Sequence, residues 1–347
     1  MNGESNINRA RLRGYMLECA VSKLLEENGF HEITNEQEDK IRINRRHFIE
    51  LKGRGEWHQI DCPCEYNIEI PFINKIRLLA EVKFFKGKIE KNLIREYIGV
   101  LKDIQENYFV KDGINISLLG NRFTELGVYF SASGFTDASE RLAFAHNIKT
   151  VSYENVEVIG TIISDILNLE ENYLKAGKCI SKGNQGSFIS SFRKILNNQD
   201  IKEELRSFII KFEPKDGFNN VINLFKEDFL TIKSNFFANT SGGALLHFIS
   251  DREFPDYLFQ DSDIADVEIY YQNERFYQRF YLIFSMDRGE RKFYFKPPVS
   301  LKDAVFNGSV LDEKERHFRS LTLTRKINGI IRTITLRLNT DWLQNLR

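Results

Sequence analysis

Arg77-Leu78-Leu79-Ala80-Glu81-Val82-Lys83-Phe84-Phe85 reads as a strand with two charges set into it. Leu78, Leu79 and Ala80 lead in, and Phe84 and Phe85 lead out, so the run has the apolar character of a buried strand. Side chains alternate along a strand, which puts Glu81 and Lys83 on one face and turns Val82 into the core. Charges inside such a strand are expensive to bury unless they are paired or bind a metal.

The surrounding pattern builds a layered fold around this strand. Leu12, Met16, Cys19, Ala20 and Leu24 recur at helical spacing and predict a helix over 8–28, stopped by Gly29. A polar stretch at 35–40 and a basic one with Arg42, Arg45, Arg46, Lys52 and Arg54 precede a second strand at 57–61. Residues 67–72 alternate, as a strand or as a loop with Pro71. Downstream, Leu93, Tyr97, Val100, Leu101, Ile104 and Tyr108 make the stripe of an amphipathic helix over 91–109. Residues 126–132 read as an apolar strand, Gly134 as a turn, Thr136 as the cap of a helix ending at His146, and 148–153 as a strand. This order predicts an α/β domain over residues 1–165, with a mixed sheet flanked by helices.

Residues 156–169 continue as helix, and 166–240 read as a helical connecting region with its boundary at the small, flexible run 239–243. Residues 241–347 read as an antiparallel β-rich domain, with a role in target recognition or oligomerisation. Its best signal is Asn328-Gly329 between 321–327 and 330–338, which predicts a hairpin with a type I′ turn. Basic residues at 325, 326, 332 and 337 either face a DNA groove or protect edge strands from aggregation.

Composition is that of an ordinary folded protein: 347 residues, 42% hydrophobic, 28% charged. The 49 basic and 49 acidic side chains cancel, so contact with a polyanion must come from local patches. No run reaches eighteen apolar residues, and the first residues lack the apolar core of a signal peptide, so a cytoplasmic protein without membrane contact is expected. The four cysteines (19, 62, 64 and 179) form no second pair to go with Cys62-Pro63-Cys64, and the reading is buried, reduced thiols. No P-loop is present, and no nucleotide cofactor is expected.

Asp61 lies twenty residues before Glu81, at the end of the 57–61 strand. Carboxylate oxygens suit Mg²⁺ or Mn²⁺, and a lysine beside such an ion can position a water. Glu18 sits on a semi-apolar side of its helix, beside Tyr15, Val21 and Leu25, either at a rim or aimed at the same metal. From 75 to 102 there are eight basic residues against three acidic ones. Lys86, Lys88, Lys91 and Arg95 there, and Arg54 upstream, are candidate phosphate contacts, or a solvated face.

Residues 11 to about 155 resemble the Mrr-like restriction endonucleases, a branch of the PD-(D/E)xK nuclease superfamily. Four blocks carry the resemblance: Gly14-Tyr15-Met16-Leu17-Glu18, His58-Gln59-Ile60-Asp61, Leu79-Ala80-Glu81-Val82-Lys83, and Phe130-Ser131-Ala132-Ser133-Gly134-Phe135-Thr136-Asp137-Ala138. The resemblance implies a restriction-endonuclease-like sheet, with Asp61 and Glu81 as metal ligands and Lys83 assisting the water. Glu18 would be a supplementary metal or water contact. Gln59 joins them by alternation, two residues before Asp61. The approach to Asp61, residues 53–59, is bulkier than the family's glycine-rich one. The implied function is Mg²⁺-dependent cleavage of double-stranded DNA in restriction or phage defence. Double-strand cleavage calls for two sites, hence an expected homodimer. The alternatives are a non-catalytic nucleic-acid-binding module, or a nuclease for RNA or DNA junctions.

Overall fold

The computed structural model describes residues 9–34, 36, 40–44, 48–66, 73–106, 123–173, 192–197, 215–274, 277–287, 289–303 and 318–339. The alternating run at 67–72, Tyr108, Cys179, most of the helical region expected at 174–214, and the chain end at 340–347 lie outside these.

Helix α1 (Arg9–Glu27) leads to β1 (Phe30–Glu32), β2 (Ile41–Ile43), β3 (Ile49–Lys52), β4 (Trp57–Gln59), β5 (Cys62–Tyr66) and β6 (Lys75–Lys83). There follow α2 (Lys91–Gln105), β7 (Phe123–Ser131), α3 (Asp137–Ala145), β8 (Lys149–Ser152) and α4 (Glu157–Tyr173). After α5 (Lys215–Thr231) the chain is mainly β: β9 (Ser234–Thr240), β10 (Leu245–Ser250), β11 (Ile264–Glu274), β12 (Tyr277–Phe284), β13 (Phe293–Phe295), a single turn α6 (Val299–Lys302), β14 (Ser320–Ile327) and β15 (Ile330–Leu338).

The main sheet has the order β1-β5-β6-β7-β8. It is mixed: β1, β5 and β6 pair antiparallel, and β6, β7 and β8 pair parallel. Parallel neighbours need crossovers, and α2 and α3 supply them. On one face Leu78, Ala80, Val82, Val128 and Phe130 pack under α1, α4 and α5. On the other, Leu79 and Tyr129 meet Ile94, Tyr97, Leu101 and Ile104 of α2. Tyr97, Leu101 and Ile104 are buried as the periodicity predicts, Leu93 and Val100 pack half-buried against the same cluster, and Ile94 joins them. Gly127 makes the close approach of α2 feasible: a Cβ there would lie 2.7 Å from Leu101 Cδ2 and 3.2 Å from the Tyr97 hydroxyl.

Two expectations are corrected here. Residues 57–61 do not form a strand of the main sheet, because β4 pairs with β3 in a separate sheet of order β2-β3-β4. The strand next to β6 is β5, which contains Pro63 and the two buried cysteines.

The C-terminal unit is a closed seven-stranded barrel, β10-β13-β12-β11-β15-β14-β9. Its interior is filled by aromatics, among them Phe236, Phe248, Phe259, Phe280, Phe284 and Phe293. The boundary read at 240 falls in the turn of the β9–β10 hairpin, and the barrel starts at Ser234. Closure joins β11 to β15 in parallel, while the other pairs are antiparallel. The β14–β15 hairpin has Ile327 opposite Ile330 and positive φ at Asn328 (50°) and Gly329 (83°), the type I′ geometry its sequence demands.

Candidate functional site

The charged end of β6 is fixed from three sides. Arg13 of α1, itself buried, donates from Nε to the Phe84 carbonyl at 3.0 Å and pairs with Glu170 of α4 at 2.7 Å. That pins the chain just beyond Lys83. On the neighbouring strand, Cys62 of β5 lies opposite Ala80, so Asp61 arrives beside Glu81 and Lys83. Asp61 stands in the bend before β5 rather than at the end of a strand.

The Lys83 ammonium bridges the two acids. It contacts Asp61 Oδ2 at 2.8 Å and also Glu81 Oε1. The backbone N–H of Val82 donates to the same Asp61 oxygen at 2.9 Å. The side chains of Asp61, Glu81 and Lys83 are 9%, 19% and 25% exposed, a partly open cluster at the sheet's end.

Glu18 is 7% exposed, so it is not a rim residue. Its backbone carbonyl accepts from Cys62 Sγ at 3.4 Å, which seats α1 on the strand beginning after Asp61. Burial, and then the charge of Asp61, holds the Glu18 carboxyl well above the ordinary carboxylate range. Burial followed by Asp61 likewise raises Glu81 to about 7, against the pull of Lys83. Burial alone would lower Lys83, but Asp61 and Glu81 together hold its ammonium well above the usual value. Four ionisable groups from α1, the bend and β6 therefore share one field, with three carboxylates facing one ammonium. Among the described residues no three acidic, histidine or cysteine groups close into a ready cage; the ammonium sits between two of the acids.

Two tyrosines that the sequence reading left in the core wall the site on the α2 side. Tyr129 of β7 is in register with Glu81. Tyr97 of α2 donates to the Leu79 carbonyl and meets the Tyr129 ring edge-on at 5.6 Å. Burial, with Glu81 next, raises the Tyr97 hydroxyl, and burial raises that of Tyr129. Tyr97 belongs to the amphipathic stripe of α2; the missing signal was the helix-to-strand pairing that carries the stripe to Glu81.

Gln59 is not brought into this cluster. It is exposed on β4, opposite Glu50 of the smaller sheet, and the bend at Asp61 ends the alternation that linked the two. His58 binds Asp103 of α2 at 2.7 Å, and Asp103 also accepts from the N–H groups of Gly55 and Glu56, so these groups anchor the β3–β4 turn. Arg54 of that turn pairs with Glu106 past the C-terminal end of α2, at 3.4 Å. Lys91 starts the same helix, about 22 Å from Glu106 along the axis at 1.5 Å per residue, so Arg54 is separate from the other candidate phosphate contacts. Lys86, Lys91 and Arg95 are exposed. Lys88 lies 3.8 Å from Glu154. The loop holding Lys86 and Lys88 is stitched to the turn after β7 by Ile89 N–H to Gly134 O, 2.9 Å, and Thr136 N–H to Ile89 O, 3.1 Å. Ser131 and Ser133 bond backbone carbonyls in the same turn region. The buried thiols are driven up by desolvation, Cys19 to about 12, away from the thiolate a zinc site requires.

Among the described residues no helix is long and apolar enough to cross a membrane. Compared with known protein families the chain matches none, and no curated protein matches it. It is similar to a crystal structure of a protein of unknown function, AF1548, at 18% identity, covering 62% of this chain and 97% of that one with a TM-score of 0.35.

Proposed function

We propose that this chain is a metal-dependent endonuclease that hydrolyses DNA phosphodiester bonds, of a restriction or phage-defence kind. The observation that carries the reading is the Lys83 bridge between Asp61 and Glu81, with Glu18 buried in the same field. The four ordered blocks resembling the Mrr-like branch support it, and a restriction-endonuclease-like core is the finer description of the mixed sheet that goes with it.

Asp61, Glu81 and Glu18 would hold Mg²⁺ or Mn²⁺. The donor set fits: hard oxygen ligands, three carboxylates to one ammonium, with the Glu18 and Glu81 carboxyls raised first by burial and then by the charge of Asp61. A bound ion of this kind activates water and polarises the phosphate. Lys83 contributes a positioned ammonium that holds the attacking oxygen and offsets charge growing on the phosphate. Asp61 Oδ2 orients that ammonium, and the Val82 N–H fixes Asp61. Tyr97 and Tyr129 keep water from the α2 side of Glu81. Lys86, Lys88, Lys91 and Arg95 offer phosphate contacts that set the position of the duplex without reading sequence. A homodimer would bring two such sites to the two strands.

Plasmid cleavage in Mg²⁺ tests the assignment. Wild type should nick or linearise DNA, while Asp61→Ala and Lys83→Ala should not. Equal nicking by all three removes the site, and cleavage of RNA in preference to DNA moves the substrate.

A further inference from the structure

The outer face of the barrel carries a feature that the carboxylate site does not use. Along β11, β12 and β13, Ile269, Phe280, Leu282, Phe293 and Phe295 fill the interior. Alternation then turns Tyr270, Tyr281 and Tyr294 outward. Register sets them side by side, Tyr270 opposite Tyr281 and Tyr281 opposite Tyr294. The first two rings stack at 5.5 Å and 12°, and the second pair is tilted at 6.0 Å. All three are half-buried: Tyr294 packs in part against the core under α4 and α5, and the Tyr270 hydroxyl donates to Glu268 at 2.7 Å. Cations accompany them. The Lys292 ammonium lies 4.8 Å from the Tyr281 ring centre. Arg279 is two residues before Tyr281 on the same face, where it pairs with Glu157 at 3.0 Å, and Lys296 is two after Tyr294.

Cross-strand aromatic pairs stabilise any sheet. A row of tyrosines edged by lysine and arginine has a second capacity, since bases stack on aromatic faces and phosphates pair with the cations. The row also has a direction. Lys296 pairs with Glu154 at 3.3 Å, and Glu154 reaches Lys88 at 3.8 Å, on the loop leaving β6 just past Lys83. Two ion pairs thus link Lys296 at the edge of the row, through Glu154, to the loop that begins five residues before Lys88 at Lys83.

We propose that the Tyr270–Tyr281–Tyr294 row binds single-stranded nucleic acid, stacking its bases and holding its phosphates with Lys292, Arg279 and Lys296, and leads that strand toward Lys83. Only the destination rests on the nuclease reading; the binding does not.

The test is fluorescence anisotropy on the full chain in EDTA, with labelled oligo-dT, oligo-U and a duplex as probes. A single strand should bind more tightly than the duplex. Tyr270→Ala with Tyr281→Ala should weaken strand binding by roughly tenfold or more, while Tyr281→Phe, which keeps the ring, should bind as wild type. Lys292→Gln should reduce the salt slope of strand binding by about 0.7, a readout that a folding defect does not mimic. The proposal is overturned by no strand binding in the wild type, by tighter duplex binding, by a folded double variant with wild-type affinity, or by an unchanged salt slope. Asp61→Ala separates the two readings. If it binds strand normally and the wild type cuts nothing, the platform stands and the nuclease falls. If cleavage depends on Asp61 while the tyrosine variants bind as wild type, the platform falls and the nuclease stands.

Discussion

The Tyr153 hydroxyl donates to His247 Nδ1 across 3.1 Å, at the seam where the barrel meets the main sheet. His247 Nε2 faces Asn235 Oδ1 at 3.1 Å, and the ring stacks on Phe237 at 4.0 Å. Asn235 in turn contacts Asn28 and, at 2.6 Å, Glu27 at the end of α1. The seam is thus a polar chain built around a neutral histidine. Burial holds its pKa down to about 3.

The unfolded chain protonates this histidine near 6.5 while the folded chain does not. Its contribution to stability is complete above that pH and shrinks as pH falls toward 3. Between pH 7 and pH 5 the wild type should lose about 2 kcal/mol from this group. Urea denaturation at both pH values should show a smaller loss for His247→Gln. Identical losses in the two proteins would mean that the seam histidine is not what couples folding to acid.

Glu81 should report metal binding as proton release. With its pKa near 7, Glu81 is largely protonated at pH 6 in the free protein. A cation taken up by the carboxylate form must expel that proton. Titration calorimetry with Mg²⁺ at pH 6, in two buffers of different ionisation heat, should give a release of at least about one proton, and more where the raised Glu18 carboxyl gives up its own. At pH 8.5, where Glu81 is already ionised, the release should fall by about one proton. Heat from Mg²⁺ that ignores the buffer at pH 6 would place the ion elsewhere.

Removing the ammonium should expose the repulsion it offsets. Lys83→Met leaves Asp61 and Glu81 facing each other, both mostly buried. The expected cost is about 2–3 kcal/mol at pH 8, toward the lower end for a pair that keeps some solvent contact. Protonation of the acids relieves it, so the gap to wild type should narrow on going to pH 5. Thermal melts at both pH values measure this; a gap that widens in acid would contradict the arrangement.

Gly127→Ala tests the closeness of α2 to the sheet. The added methyl would meet Leu101 and the Tyr97 ring, both inside the core. Overpacking of this kind costs about 1–3 kcal/mol, seen as a lower midpoint in denaturant. Because Tyr97 walls Glu81, the cleavage proposed for the Glu81 cluster should fall further than the stability loss explains. A variant as stable and as active as wild type would show that the helix has room to retreat.

Long, strongly patterned pieces of this fold were legible in the residues. The stripe of α2, the cap at Thr136 and the Asn328-Gly329 turn each carry a local signal that tertiary contacts do not override. β1, β2 and β3 went unread because three or four half-buried residues give alternation no length to register. β5 was hidden by Pro63, which lacks a donor but still offers its carbonyl to Ile33 N–H at 2.9 Å. Glu81 and Lys83 were legible as a same-face pair, since they ride on one strand. Gln59 was misplaced because alternation holds only within a strand, and a change of sheet intervenes before Asp61. The roles of Tyr97 and Tyr129 depend on strand and helix pairings that no local window contains.

The order in which the barrel closes bears on synthesis. β9 pairs with β14, Thr240 opposite Leu321, so closure waits until the last hairpin has left the ribosome. Pairings of such long range are slow to form. The strands of the main sheet end at Ser152 and the helices that cover it at Thr231, all ahead of the barrel, and amino-terminal units fold first during translation. The nascent chain therefore assembles Asp61, Glu81 and Lys83 while the barrel is still unmade. For that interval the cluster stands without the Lys296 and tyrosine surface that later flanks it, and the β9–β14 pairing marks the end of this immature state.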